Sequence, residues 1–284
     1  MDKSIVLLDG ASGTSLWKKA NNQQPVWKYN IDKPEIVVEL EKEYIAAGTQ
    51  IILTNTFAAN RSFVEKEGGY NVTEVVQAAV RLAKLAVKGT DTRVMLDVGP
   101  LGDLMEPFGA ISEADAISIF EEQIGAAMQL PEPPDLIFIE TFIDLNLLEV
   151  AVKVAEKYDA PIFCSMSFTE SGFTIMGNSV EEFAAAMERH PKVRAIGLNC
   201  NLTPGQALPV IAQFVGKTSK ELLFKPNAGQ PKIVNGVTVS GENEETFVGE
   251  ALQALEYGVK YMGGCCGTAP SYISLLKSEL AKVK

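Results

Sequence analysis

The sequence predicts a (β/α)8 barrel, and three observations carry that expectation. Apolar runs of four to six residues recur along the whole chain, each followed by a longer stretch with apolar residues at helical spacing. There are eight such pairs, the number that closes a barrel of parallel strands joined by right-handed crossovers. Polar, glycine and cysteine residues gather directly after the apolar runs, where barrels of this kind carry their chemistry. An open doubly wound sheet is the other architecture that strict alternation allows.

The predicted strands cover residues 5–8, 50–53, 93–98, 135–139, 161–166, 193–198, 221–225 and 259–262. The predicted helices cover 35–47, 73–88, 113–129, 144–158, 179–190, 204–216, 244–257 and 270–282. Ser112 before Glu113 and Asp115, Ser179 before Glu181 and Glu182, and Thr203-Pro204 read as helix starts, because a side-chain cap or a first-turn proline suits the free N–H groups there. Gly48, Gly89 and Gly258 stand where helices should stop. Residues 21–34 read as an extended connection after the first strand, and Val234-Asn235-Gly236-Val237 reads as a tight hairpin; both are expected to decorate the rim. No domain boundary is visible, so residues 1–284 are expected to form one barrel domain.

Composition narrows the function classes. A net charge of −11 argues against non-specific nucleic-acid binding, which needs a basic surface. No apolar run approaches the ~20 residues of a membrane span, and the apolar start at residues 5–8 is too short for a signal sequence. Four cysteines are too few for a disulfide framework and suit a reducing compartment, so a cytoplasmic protein is expected.

The strand ends then become the informative positions. Cys200 follows the sixth strand, and Cys265-Cys266 follow the eighth within Gly263-Gly264-Cys265-Cys266-Gly267-Thr268. Neighbouring side chains of a regular strand point to opposite faces, so both sulfurs of the pair reach one ion only if the strand breaks there. The glycines permit that break. An adjacent cysteine pair alone fits a buried glycine-rich turn better than a metal site; Cys200 at an equivalent strand end reverses that and makes a metal site the stronger reading. Three thiolates leave one tetrahedral position of a zinc ion open, as in catalytic zinc sites. Such an electron-rich centre is a poor activator of water and suits a fourth sulfur, so alkyl transfer to a substrate thiol is the favoured chemistry. Asp9 and Glu140, at the ends of the first and fourth strands, suit an ammonium, and the N–H groups of Gly10, Ala11 and Ser12 suit a carboxylate. Together they describe an amino-acid thiol. Asp9 followed by glycine also fits a plain turn.

Asp9-Gly10-Ala11-Ser12-Gly13-Thr14, Thr54-Asn55-Thr56-Phe57, Asp97-Val98-Gly99-Pro100, Phe138-Ile139-Glu140-Thr141, Gly197-Leu198-Asn199-Cys200, Pro226-Asn227-Ala228-Gly229 and the Gly263–Thr268 run resemble, in order and spacing, the homocysteine S-methyltransferase family. The likeness is strongest to the homocysteine-binding barrel of cobalamin-dependent methionine synthases, through Gly99-Pro100-Leu101-Gly102, Glu106-Pro107 and the surroundings of Asn227. It implies Cys200, Cys265 and Cys266 as zinc ligands, Asp9 and Glu140 as partners of the substrate amino group, and Asn227 as a fourth zinc ligand when substrate is absent. It also implies methyl transfer to homocysteine to give methionine. With the sequence ending after the last barrel helix, methylcobalamin on a separate corrinoid protein is the first expectation for the donor. A free methylsulfonium or betaine compound, S-methylmethionine and S-adenosylmethionine included, is the second. A non-catalytic zinc- or thiol-binding scaffold is the alternative of another class. Two residues depart from the family pattern: Ser12 stands where a bulkier residue is common, and Lys225 where an aromatic or acidic residue often precedes the Pro226–Gly229 turn.

The remaining singular residues receive structural expectations. His190 before Pro191 reads as a helix-end or surface residue, Cys164 as a small core residue, and Trp27 and Tyr29 as packing for the long loop or as cover for a ligand or partner.

Overall fold

The computed structural model describes residues 5–229, 232–234, 237–239 and 243–282. Eight parallel strands form one sheet: β1 (Val6–Leu7), β2 (Ile51–Leu53), β3 (Arg93–Val98), β4 (Leu136–Phe142), β5 (Ile162–Met166), β6 (Val193–Asn199), β7 (Glu221–Lys225) and β10 (Val259–Met262). Each of β2 to β7 lies beside its sequence neighbour, and β10 lies between β7 and β1. A parallel bridge between Leu8 and Ile51 completes the ring, supported by the Gln50 N–H on the Leu7 carbonyl at 2.8 Å. The side-chain oxygen of Gln50 also accepts from the Leu7 N–H at 3.0 Å. This is the (β/α)8 barrel expected, and the open sheet is excluded by its closure.

The eight expected helices are present as α3 (Pro34–Ala47), α5 (Val72–Ala86), α6 (Glu113–Met128), α7 (Leu145–Ala155), α8 (Val180–Glu188), α9 (Pro204–Ala212), α10 (Glu244–Ala251) and α11 (Pro270–Leu280). Ser112 and Ser179 cap α6 and α8, the latter in a reciprocal box with Glu182. Gly48 and Gly258 close their helical segments with φ of 108° and 79°, backbone that disfavours a side chain. Three helices escape the periodicity argument because they are short or weakly patterned: α1 (Gly13–Ala20), α2 (Tyr29–Asp32) and α4 (Arg61–Glu67). The stretch 21–34 is therefore not simply extended: a 3-10 turn at Val26–Lys28 leads into α2. Trp27 packs edge-on against Tyr70 at 5.2 Å, and both Trp27 and Tyr29 are buried, which settles them as loop packing. Strands β8 (Lys232–Val234) and β9 (Val237–Val239) pair antiparallel with Val234 opposite Val237, as the hairpin signal predicted; Asn235 and Gly236 themselves lie outside the described residues.

Two apolar layers hold the barrel. The larger lies between the strands and the helical ring, and Cys164 belongs to it. The smaller fills the barrel interior with Leu8, Met95, Phe138, Phe163, Leu223 and Tyr261 among its members. It acts as a floor, so the polar residues at the carboxyl ends of the strands stand above a dry plug. His190, expected at a helix end or on the surface, follows α8 but is buried, with Nδ1 3.0 Å from Glu156 Oε2, so the surface expectation does not hold. Among the described residues, no helix is long and apolar enough to cross a membrane.

Candidate metal centre and the pocket beside it

β10 stops at Met262, and the chain is then drawn across the barrel mouth by its own backbone. Gly263 N–H reaches the Phe224 carbonyl at 3.1 Å, Gly264 N–H the Asp9 carbonyl at 3.0 Å, and Cys265 N–H the Pro226 carbonyl at 2.8 Å. A turn follows in which Thr268 N–H returns to the Cys265 carbonyl, with Gly267 at φ 84°. This is the break that lets neighbouring cysteines face one point. At the end of β6, Cys200 and Asn201 both take left-handed backbone, φ 60° and 59°, and Thr141 after Glu140 does the same at 65°. Non-glycine residues held in that region cluster at functional sites.

The sulfurs of Cys200, Cys265 and Cys266 all lie within 4.8 Å of one another, and Cys200 and Cys266 are 3.9 Å apart. A tetrahedral zinc with Zn–S bonds of about 2.3 Å spaces its sulfurs about 3.8 Å apart, so the donor set fits that ion. The thiols themselves point the same way. Hydrogen bonds from Cys265 and Cys266 hold Cys200 down to about 3, while Cys200 in turn pushes Cys266 up to about 11 and Cys265 well above the usual thiol range. One thiolate is accommodated by the protein alone; three need a cation. Beside Cys200 stands Asn227, whose Oδ1 is buried with no hydrogen-bond partner among the described residues. Cys266 is exposed and Cys200 and Cys265 are half-buried, so the centre opens to the barrel mouth.

The chain belongs to the homocysteine S-methyltransferase family. The family's model, described as homocysteine S-methyltransferase, matches residues 6–280. In fold, the chain is similar to the homocysteine methyltransferase MmuM from Escherichia coli in its metallated form, at 23% identity with a TM-score of 0.83 over 98% of this chain and 97% of that one. The oxidized form of the same protein gives 22% and 0.82 over 97% and 96%. A type I 3-dehydroquinate dehydratase from Clostridium difficile, at 11% and 0.56 over 99% and 94%, shares the barrel alone.

Around the three-cysteine cluster of this homocysteine S-methyltransferase family member, the other residues singled out by sequence converge. Asp9, Asp97 and Glu140 are all buried at the ends of β1, β3 and β4. Asp9 takes the Leu53 N–H on Oδ2 at 2.7 Å and the Lys225 ammonium on Oδ1 at 3.0 Å. Burial raises Glu140 to about 7, against the lowering pull of Lys225. Burial likewise lifts Asp97 well above the usual carboxylate range, with Glu140 adding to it. The Asp9–Ser12 turn is stitched to the cysteine loop: Ala11 N–H reaches Thr268 Oγ1 at 3.1 Å, and that hydroxyl donates to the Cys265 carbonyl at 2.8 Å. The Ala11 N–H is therefore engaged, which leaves the neighbouring turn residues Gly10 and Ser12 to offer theirs. A Cβ on Gly10 would come within 2.4 Å of Thr268 Oγ1, so only glycine fits this seam. Ser12 precedes α1, whose first turn holds no acidic side chain.

Three contributors were invisible as such in the sequence. Asn199, fully buried, donates to Glu140 Oε2 at 3.2 Å and Thr141 Oγ1 at 2.7 Å, with Cys265 Sγ 3.8 Å from the same amide nitrogen. Lys225, marked in the sequence only as a departure before the Pro226–Gly229 turn, is turned into the barrel by its register. Glu41 on α3 is buried with neither oxygen partnered among the described residues, beside a small cavity it shares with Asp9, Ser12 and Tyr44. Its burial drives it well above the usual carboxylate range. The only advance signal was position, since Asn199 precedes a candidate ligand and Lys225 precedes the Asn227 turn.

Proposed function

We propose that this protein transfers a methyl group to the thiolate of homocysteine, forming methionine, with zinc held by Cys200, Cys265 and Cys266. The observation that carries the reading is the three-sulfur cluster open to the barrel mouth beside a pocket of buried carboxylates. Zinc bound there supplies the positive charge that makes a thiol ionise at neutral pH while leaving it nucleophilic. Asn227, with its unpartnered oxygen next to Cys200, is the group to complete the coordination before the acceptor arrives. The acceptor's carboxylate lies against the N–H groups of Gly10 and Ser12 at the start of α1, where the helix end favours an anion. Its ammonium faces Glu140, which Asn199 holds. These contacts fix both ends of the amino acid and bring its sulfur to the mouth of the barrel, so the chain's share of the catalysis is alignment for in-line displacement. One folded barrel domain in a reducing, cytosolic compartment suits such thiols.

Two donors are distinguished by supporting features. Methylcobalamin carried by a separate corrinoid protein is supported by the likeness of Gly99–Gly102, Glu106-Pro107 and the Asn227 turn to methionine synthase barrels. A free onium donor is supported by the exposed Cys266 at the barrel mouth, which leaves the cluster open to a small molecule. Single-turnover transfer to homocysteine by the zinc-loaded protein separates them: methylcobalamin in one arm, S-methylmethionine, betaine or S-adenosylmethionine in the others. Loss of the methylcobalt spectrum with methionine formed establishes the corrinoid route, and methionine formed only from an onium compound establishes the other. No methionine from any donor, with zinc retained, leaves the scaffold alternative standing.

A further inference from the structure

Lys225 ends β7 and reaches into the barrel, where it is 2% exposed. A lysine is buried this completely only against matched anions. Its Nζ is 3.0 Å from Asp9 Oδ1, lies 5.8 Å over the Phe138 ring, and is felt by Glu140. With Leu53 N–H on Oδ2, both oxygens of Asp9 are already engaged by the protein. Yet Asp9 is one of two carboxylates beside the cysteine loop that an acceptor's ammonium would address. Two ammonium groups about 4 Å apart on one carboxylate repel, and more strongly in a buried pocket than in water.

We propose that Lys225 is a specificity-determining residue: a tethered ammonium that takes the Asp9 contact an acceptor's α-ammonium would otherwise make. The inference rests on the reading above, in which a thiol is methylated beside Asp9 and Glu140. Its consequence is an acceptor site that selects for thiolate and carboxylate and discriminates weakly in favour of an α-amino group. Thiols bearing a carboxylate but no amine then enter this barrel alongside homocysteine. Glu140 remains the ammonium's contact, so homocysteine keeps a modest advantage.

Equilibrium binding to the zinc-loaded protein tests this without a methyl donor. Homocysteine and its des-amino analogue 4-mercaptobutanoate are titrated calorimetrically into wild type, Lys225→Met and Lys225→Arg, with zinc content measured for each. Wild type is expected to favour homocysteine by no more than about tenfold, Lys225→Met to raise that preference at least tenfold further, and Lys225→Arg to stay within threefold of wild type. A preference above a hundredfold in wild type overturns the proposal whether or not the variants fold. So does an unchanged preference in a zinc-retaining Lys225→Met, or an equal shift in Lys225→Arg, which would assign the effect to packing. Binding of neither thiol to the wild-type zinc form removes the methyltransferase reading itself, and this inference with it.

Discussion

Replacing Asn199 by alanine should weaken the fold and the acceptor site together, by amounts that the structure sets. Its Oδ1 accepts from the Thr141 N–H at 2.9 Å and the Ser165 hydroxyl at 2.7 Å, and its amide nitrogen donates to Glu140 and Thr141. Truncation strands one backbone donor and one hydroxyl at about 1–3 kcal/mol each and leaves a side-chain void, so about 4 kcal/mol is lost. At about 2–4 °C per kcal/mol for a domain of this size, Tm falls by roughly 10 °C. Thr141 is also held in left-handed backbone at φ 65°, and the lost contact removes what fixes it there. Glu140, losing a donor to its charged form, moves above about 7 and binds an ammonium less well at neutral pH. Asn199→Asp separates the two effects. It keeps the acceptor for Thr141 and Ser165, so much of the stability stays, but sets an oxygen against Glu140 and raises that carboxyl further. Thermal unfolding of the zinc-loaded variants, together with the homocysteine KM across pH 6–9, reads both quantities. An Asn199→Ala protein with Tm within about 3 °C of wild type and an unaltered KM profile would refute the assignment of Asn199 as the hub.

Cys200→Ala and Cys265→Ala should each lose zinc, measured by elemental analysis, together with all methyl transfer, whereas Cys164→Ala in the outer core keeps full zinc occupancy. The pH dependence follows from Glu140: protonated below about 7 and charged above it, it attracts an ammonium only in the second form, so homocysteine KM falls as pH rises through 7, and Glu140→Gln flattens that profile. Stability moves the other way. The unfolded chain gives up this proton near 4.5 and the folded one near 7, so Glu140 makes Tm decline as pH rises across that window, a trend Glu140→Gln should lack. Gly264→Ala sets a Cβ within 2.5 Å of Thr268, and the resulting shift of the cysteine loop should cost about 1–3 kcal/mol and measurable zinc affinity in a chelator competition.

The barrel was legible because its strands are continuous apolar runs and its helices announce themselves at their ends, as with Ser179 and Glu182. What stayed hidden is short or turned by register. Helix α1 begins Gly13-Thr14-Ser15 and, at eight residues, is too short for its Leu16–Ala20 spacing to mark it, and only the fold shows that it opens beside the cysteine loop. The three cysteines could be grouped from strand ends alone, since parallel strands bring those ends to one rim. Lys225 could not be placed, because whether the last residue of a strand points inward depends on where the strand breaks, and its pairing opposite Asn199 fixes that. Nor does sequence reveal that the Ala11 N–H is spent on Thr268, a contact spanning 257 positions.

The pairing of β1 with β10 sets an order of events during synthesis. Val6 meets Tyr261, so the first strand must wait unpartnered on that side until nearly the whole ring has been made. Cys265 and Cys266 come directly after the strand it waits for, and Gly264 grips the Asp9 carbonyl in the same stroke. A nascent chain thus cannot assemble its three sulfurs before the ring is shut, and a metal held by them would be a late reporter of completed folding.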